Sequence, residues 1–298
     1  MPAAFIAAGF LFPPSPHVRQ ASMPEQAPKK VTLETLRRMK QCGERVVFLT
    51  AYDYPTATFA ERAGVDMLLV GDSAAMTMLG LESTIGITLE EMLTLSRAVC
   101  RAAKRAFVVG DMPFLSYQPS DETAVRSAGA FLHAGCHAVK CEGGQRVAGR
   151  VRAMTDAGIA VMGHVGLTPQ SLTQLGGYRV QGKTRAAAER VLEDAQAIEE
   201  AGAFAVLLEA VPPEAGALVR EGLRVPVYGI GAGPHVDGQL VISHDILGNF
   251  VGTVAPRFAS RYASIDAEVE RAFRAYASDV RGGVFPRPEH CYDAVNWE

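Results

Sequence analysis

Short apolar runs alternate with stretches of helical period along most of this chain. The runs "RVVFLTA", "DMLLVG", "AFVVG", "HAVKC", "IAVMGH", "FAVLLE", "VPVYGIG" and "QLVISH" read as strands. Between them, "TLEEMLTLSRAVCRAAK" opens on Thr88 with Glu91 three residues on, a capping box, and sets Met92, Val99 and Ala103 near one face. "SDETAVRSAGAFLHAG" opens at Ser120 and closes at Gly135; "TRAAAERVLEDAQAIEEAG" opens at Thr184 and closes at Gly202. A helix, Ala-Gly, then a strand recurs in "ERAGVDMLLV", "LHAGCHAVK", "TDAGIAVMG" and "EEAGAFAVLLE". Glycine stops a helix there because it takes the left-handed conformation cheaply.

Strands and helices alternating with such short joins predict an α/β fold of βα units around a parallel sheet. Eight candidate strands suggest a (β/α)8 TIM barrel, with a doubly wound open sheet as the rival that periodicity alone leaves open. "TLETLRRMKQCGE" predicts an N-terminal helix before the first strand, and "SIDAEVERAFRAYASDVRGG" a helix after the last unit.

The chain has 298 residues, 48% hydrophobic and 20% charged, enough for a sizeable core. Residues 31–298 are expected to form one barrel domain. Residues 1–30 are apolar and then proline-rich, with no positive charge ahead of the apolar run, and read as a disordered extension upstream of an alternative start at Met23. A net charge of −3 without long runs of one sign argues against nucleic acid or an anionic membrane as partner. No window approaches the ~18 apolar residues of a membrane span. Five cysteines without a CxxC or CxxH pattern read as reduced thiols of a cytoplasmic protein.

Candidate chemistry gathers where strands end. The ends deliver, in order, Tyr52-Asp53, Asp72-Ser73, Asp111, Lys140 with Glu142, His164, Glu209, "GIGAG" and His244-Asp245. If the sheet closes, all converge on the rim where barrel enzymes carry their chemistry. Singly, each has an ordinary structural reading: an Asp as helix N-cap, a His as a bonded core residue, a glycine run as a tight turn. Tyr52 and Asp53 read as structural. Jointly, Asp72, Asp111 and Glu142 supply three carboxylates from consecutive strands, with Lys140 beside them. Strand alternation puts Lys140 and Glu142 on one side. A divalent cation relieves the repulsion, and an all-oxygen donor set favours Mg2+. Glu209, approached through an apolar strand, is expected to be partly buried, which suits a general base.

The stretches "TAYDYPTA", "LLVGDSAAMTMLG", "GDMPFLSYQ", "VKCEGG", "MGHVGLTPQSLTQLGGYRVQG", "LLEAVP" and "GIGAGPHVDGQLVISHDILG" resemble the ketopantoate hydroxymethyltransferase family, in order from about Thr32 to about His290. The "GHVGLTPQ…GGYRVQG" block is its most specific part. The resemblance implies a phosphoenolpyruvate/pyruvate-type barrel and a homo-oligomer, typically a decamer. It implies one-carbon transfer from 5,10-methylenetetrahydrofolate to 3-methyl-2-oxobutanoate, giving 2-dehydropantoate at the start of pantothenate synthesis. By position, Asp72 and Asp111 match the Mg2+ ligands and Glu142 a third, water-mediated carboxylate of the metal site. Asp72, Ser73, Asp111 and Lys140 match the residues that hold the 2-oxo acid. Glu209 matches the proton acceptor, and His164 lines the site. Ala75 stands where the family usually carries glycine, and Leu81 where histidine is common. Rival readings are a Schiff-base aldolase with Lys140 as nucleophile, a lyase or mutase of the same superfamily, and a non-catalytic paralogue. The last is disfavoured because all four carboxylates are present.

Overall fold

A computed structural model describes residues 29–250 and 256–295. The extension expected over residues 1–30 falls, apart from Lys29 and Lys30, outside the described residues. Eight parallel strands form a closed barrel: β1 (Val46–Thr50), β2 (Met67–Val70), β3 (Phe107–Asp111), β4 (Ala138–Glu142), β5 (Val161–Gly166), β6 (Ala205–Glu209), β7 (Val227–Ile230) and β8 (Gly238–Val241). The register closes where Val46 pairs with Gly238 and Leu49 with Val241. The open-sheet alternative is thereby excluded.

Helices alternate with the strands as the spacing predicts: α1 (Leu33–Cys42), α2 (Tyr54–Arg62), α3 (Ala74–Thr77), α4 (Leu89–Ala102), α5 (Asp121–His133), α6 (Ala148–Asp156), α7 (Leu172–Leu175), α8 (Arg185–Glu200), α9 (Pro213–Gly222), α10 (Ser243–Leu247) and α11 (Ile265–Arg281). The capping box of Thr88 and Glu91 opens α4, and Ser120 and Thr184 cap α5 and α8. Each cap gives an unpaired backbone N–H of the first turn an acceptor, worth about 1 kcal/mol.

Strand alternation divides the core in two. Leu68, Val70, Val108, Val139, Val206 and Leu208 pack beneath the helices. Met67, Leu69, Phe107, Val109, Ala138, Met162, Ala205 and Leu207 fill the barrel's interior. Leu36 and Met39 of α1 join the interior set, so this helix stoppers the N-terminal mouth. Burying each such side chain contributes about 1.5–3 kcal/mol. The alternation also decides function. Extending the interior positions by two residues reaches Asp111 on β3, Lys140 and Glu142 on β4, His164 on β5 and Glu209 on β6. All five inherit an inward direction from the apolar residues below them.

The approach of α5 to β3 depends on Gly110, where an added Cβ would stand 2.3 Å from the Phe131 ring. Phe131 is fully buried and has nowhere to go. Gly110→Ala is therefore expected to lower stability by about 1–3 kcal/mol through overpacking, read as a reduced urea midpoint; an unchanged midpoint would refute this packing account.

Candidate active site

At the C-terminal rim, Lys140 sits among carboxylates. Its Nζ lies 2.7 Å from Asp111 Oδ1 and 3.5 Å from Glu142 Oε1. The sheet register makes this inevitable, because Asp111 pairs with Lys140 across β3 and β4, and Glu142 with His164 across β4 and β5. Asp111 is fully engaged: its Oδ2 accepts the backbone N–H of Asp72 at 3.0 Å. His164 Nδ1 is 3.5 Å from Glu142 Oε1, and its Nε2 is 3.3 Å from Glu209 Oε2. Both contacts lie at ion-pair distance but off the axis of a hydrogen bond, so charge rather than direction holds this ring.

All of these groups except Glu209 are almost wholly buried, whereas the Glu209 side chain keeps 17% of its surface. Burial works against every charge present. At Lys140 it opposes protonation, but Asp111, Glu142 and Asp72 outweigh it and hold the ammonium above its ordinary range. At His164, burial and Lys140 both favour the neutral ring, yet Glu142 and Glu209 prevail and raise its pKa to about 9. Burial also opposes ionisation of Glu142, which Lys140 and His164 overcome, leaving it below the usual range. Asp72 goes the other way: burial and the charge of Asp111 push it well above the usual carboxylate range, despite Lys140. Asp72 is thus the carboxyl group of the cluster least compensated for its burial.

Among the described residues, Asp72 Oδ1 makes no hydrogen bond, while its Oδ2 accepts from Gln170 Nε2 at 3.0 Å. No three His, Cys, Asp or Glu side chains among the described residues come close enough to cage a metal by themselves, because Lys140 occupies the space between them. Mg2+ asks for less, binding through one or two carboxylates with water and substrate oxygens completing its shell. An oxygen of Asp72 with no hydrogen bond, on a carboxyl group beside Asp111 and Glu142, fits that demand.

Ser73 opens α3 beyond β2, and its Oγ shares a 2.8 Å hydrogen bond with Tyr52 Oη. Burial pushes the Tyr52 phenol up to about 12, so it stays protonated. Asp53 caps α2, accepting from the Thr56 N–H, the structural reading its sequence position suggested. "GIGAG" forms a tight turn: Gly231 and Gly233 take positive φ, and a Cβ on Gly233 would meet Pro213 at 2.7 Å. His244 and Asp245 lie in α10, where the His244 ring packs on Tyr52 at 5.3 Å. Among the described residues neither bonds to the Lys140 cluster. Ala75 is sealed within α3, and Leu81 lies half-exposed with its N–H bonded to the Ala75 carbonyl.

Sequence reasoning assigned no role to Gln170 or Tyr117, yet both bond directly to the cluster. Each lies a few residues past a strand that ends in site chemistry, in a loop whose path no local period marks. Two cavities open nearby. One of about 510 Å3, between the β4 and β5 ends and α8, touches none of the six charged cluster residues. The other, about 450 Å3, has Glu142 and Gln170 in its wall together with Phe114, Arg146 and Arg150, and is the one that reaches the chemistry.

Comparison with known proteins meets the same residues. The sequence profile of the family described as ketopantoate hydroxymethyltransferase matches residues 30–288. The 3-methyl-2-oxobutanoate hydroxymethyltransferase of Alkaliphilus metalliredigens is 51% identical over 270 residues, covering 90% of this chain and 95% of its own length. That of Leifsonia xyli subsp. xyli is 49% identical over 278 residues, covering 93% and 100%. Among solved structures, phosphonopyruvate hydrolase aligns with a TM-score of 0.59 at 16% identity, over 88% of this chain and 92% of that one. 2,3-Dimethylmalate lyase, a PEP mutase/isocitrate lyase superfamily member, aligns at 0.57 and 19% identity, over 88% and 94%. These distant structures share the barrel, whereas the profile and the near-half identity over most of the length decide kinship: the chain belongs to the ketopantoate hydroxymethyltransferase family.

Proposed function

We propose that this protein transfers a one-carbon unit from 5,10-methylenetetrahydrofolate to 3-methyl-2-oxobutanoate and forms 2-dehydropantoate, in the cytoplasm, at the start of pantothenate synthesis. The names of its curated relatives support the reaction. The observation that carries the reading is the inward cluster itself, in which a buried cation and three buried carboxylates adjoin one accessible carboxylate, Glu209.

The substrate C3–H is far too weakly acidic for a carboxylate to remove unaided at neutral pH. Mg2+, when bound by Asp72 and Asp111 with Glu142 reached through water, would stabilise the negative charge that develops on the ketone oxygen. Phosphonopyruvate hydrolase, which shares the barrel, has been solved in complex with oxalate and Mg2+. Lys140 and Ser73 would fix the substrate carboxylate, with Asp72 and Asp111 beside them. That leaves C3 facing the one carboxylate able to reach it. Glu209 takes the C3 proton, and His164, charged and 3.3 Å away, steadies the acceptor. The electron pair left on C3 forms the bond to the donor's methylene carbon as its C–N10 bond breaks. Water then replaces N5, supplying the product's hydroxyl. The proton held by Glu209 and the second proton of the water go to the two nitrogens of the departing tetrahydrofolate. The cavity walled by Phe114, Arg146 and Arg150 offers the donor an aromatic surface and cations for its carboxylates.

The same geometry argues against a Schiff base. Lys140 is locked in its charged form by Asp111 and Glu142, and an ammonium is no nucleophile.

Assembly belongs to the proposal too. No residue of α11 is buried, although Phe273 is 70% and Tyr276 59% exposed on it. An apolar stripe without cover favours contact with further copies of the chain, and we propose a homodecamer.

Two outcomes follow. In D2O with 3-methyl-2-oxobutanoate and Mg2+, but without folate, the C3 proton should exchange, and Glu209→Gln should slow that exchange about 10²–10⁴-fold. Exchange undiminished in the variant would remove Glu209 as base. Light scattering should give a mass near ten times 31.8 kDa; a monomer would refute the assembly.

A further inference from the structure

Gln170 lies just past β5 in the turn that carries "GLTPQ", 3% exposed, and every polar atom of its side-chain amide is engaged. Its Nε2 donates to Asp72 Oδ2 at 3.0 Å and to the Met112 carbonyl at 2.9 Å. Its Oε1 accepts from Tyr117 Oη at 2.9 Å and from Gln118 Nε2 at 3.2 Å. Its backbone N–H donates to Glu142 Oε2 at 2.9 Å. One residue from a loop thus grips carboxylates that arrive from β2 and β4.

The amide can face only one way. A carboxylate and a carbonyl offer no proton, so a flipped Gln170 would set its oxygen against two acceptors and its NH2 against Tyr117 and Gln118. Tyr117 is itself held, because its oxygen accepts the Glu142 N–H at 2.9 Å. Its single proton has two acceptors in range, Gln170 Oε1 and, at 3.0 Å, the Glu142 carbonyl. Gln118 covers Oε1 with a second donor when the phenol turns away. The amide is fully buried and fully paired, so leaving any of these bonds unmade would be costly.

We infer that Gln170 is a positioning residue that selects which oxygen of Asp72 meets the metal. By occupying Oδ2 it leaves Oδ1, which has no hydrogen bond among the described residues, as the oxygen of Asp72 open to a metal beside Asp111. Through its backbone it ties Glu142 to the same frame. Metal-bound groups are commonly oriented by such outer partners, whose loss weakens the metal about 10- to 100-fold. The inference rests on the proposed Mg2+ site and adds to it the residue that aims it. Gln170 touches neither substrate nor reacting atoms in this account.

The test is metal binding without turnover. Free Mn2+ would be followed by electron paramagnetic resonance as protein is added, with Mg2+ as competitor. The proteins would be the full chain, Gln170→Met, Tyr117→Phe and Gln174→Met. Methionine keeps the length and bulk of Gln170 but cannot donate. Gln174 is an exposed glutamine of the same segment and serves as control. Measured well below its melting transition, Gln170→Met should bind Mn2+ about 10- to 100-fold more weakly than the control, although the buried partners it leaves unpaired lower its thermal midpoint. Tyr117→Phe, which keeps the ring and frees only one contact of the amide, should lose roughly 3- to 10-fold. It decides the matter if Gln170→Met does not fold. Unaltered affinity in Gln170→Met, or in Tyr117→Phe where only that variant folds, would overturn the positioning role and leave the metal site standing. Failure of the unmodified protein to bind Mn2+ or Mg2+ would overturn the metal reading and this inference with it.

Discussion

A lysine ammonium buried in a barrel rim must be neutralised where it stands, and that requirement organises this molecule. Taking Lys140 out of water costs several kcal/mol unless anions meet it. Asp111 and Glu142 do so, but their own burial then needs the cation in return. The register supplies the match, because Asp111 and Lys140 are paired residues of adjacent strands and Glu142 and His164 are the next such pair. A slip of one residue in either ladder would turn these groups into the apolar layer beneath the helices. Barrel closure and charge pairing thus enforce each other.

The cluster stops short of neutrality, and function lies in the remainder. Four carboxyl groups face two cations, and the least compensated of them is Asp72, whose Oδ1 makes no hydrogen bond among the described residues. In the proposed function a divalent cation and an anionic 2-oxo acid would complete the balance together, each relieving the other's charge. His164, charged between Glu142 and Glu209, links the metal-side carboxylates to the accessible one. An apolar replacement of comparable volume would stabilise the barrel at least as well. The arrangement is understood as preparation for a ligand.

Much of this was legible in the sequence because strands impose a period of two. Once "AFVVGD", "HAVKCE", "MGH" and "AVLLE" are read as strands, the inward direction of Asp111, Lys140, Glu142, His164 and Glu209 follows from the residues below them. Asp72 lies past the end of β2 where alternation no longer applies; its place at a strand end in line with Asp111 and Glu142 marked it, and the family resemblance agreed. His244 and Asp245 show the limit of the strand-end rule: β8 ends at Val241, and a helix carries both residues away from the Lys140 cluster. Gln170 and Tyr117 were not legible as site residues. They reach the cluster from loops whose paths depend on the packing of α5, α6 and the turn after β5, and no local period encodes such a path. The helix α11 was legible as an element, and only the fold shows that none of its residues is buried among the described residues.

The central claim is that the charge surplus around Lys140 is a site completed jointly by Mg2+ and a 2-oxo acid. Calorimetric titration of 3-methyl-2-oxobutanoate into the protein tests it most directly, once with Mg2+ present and once after EDTA treatment. The account predicts binding that requires the metal, because the carboxylates would otherwise repel the incoming anion. Equal affinity in both titrations would contradict it.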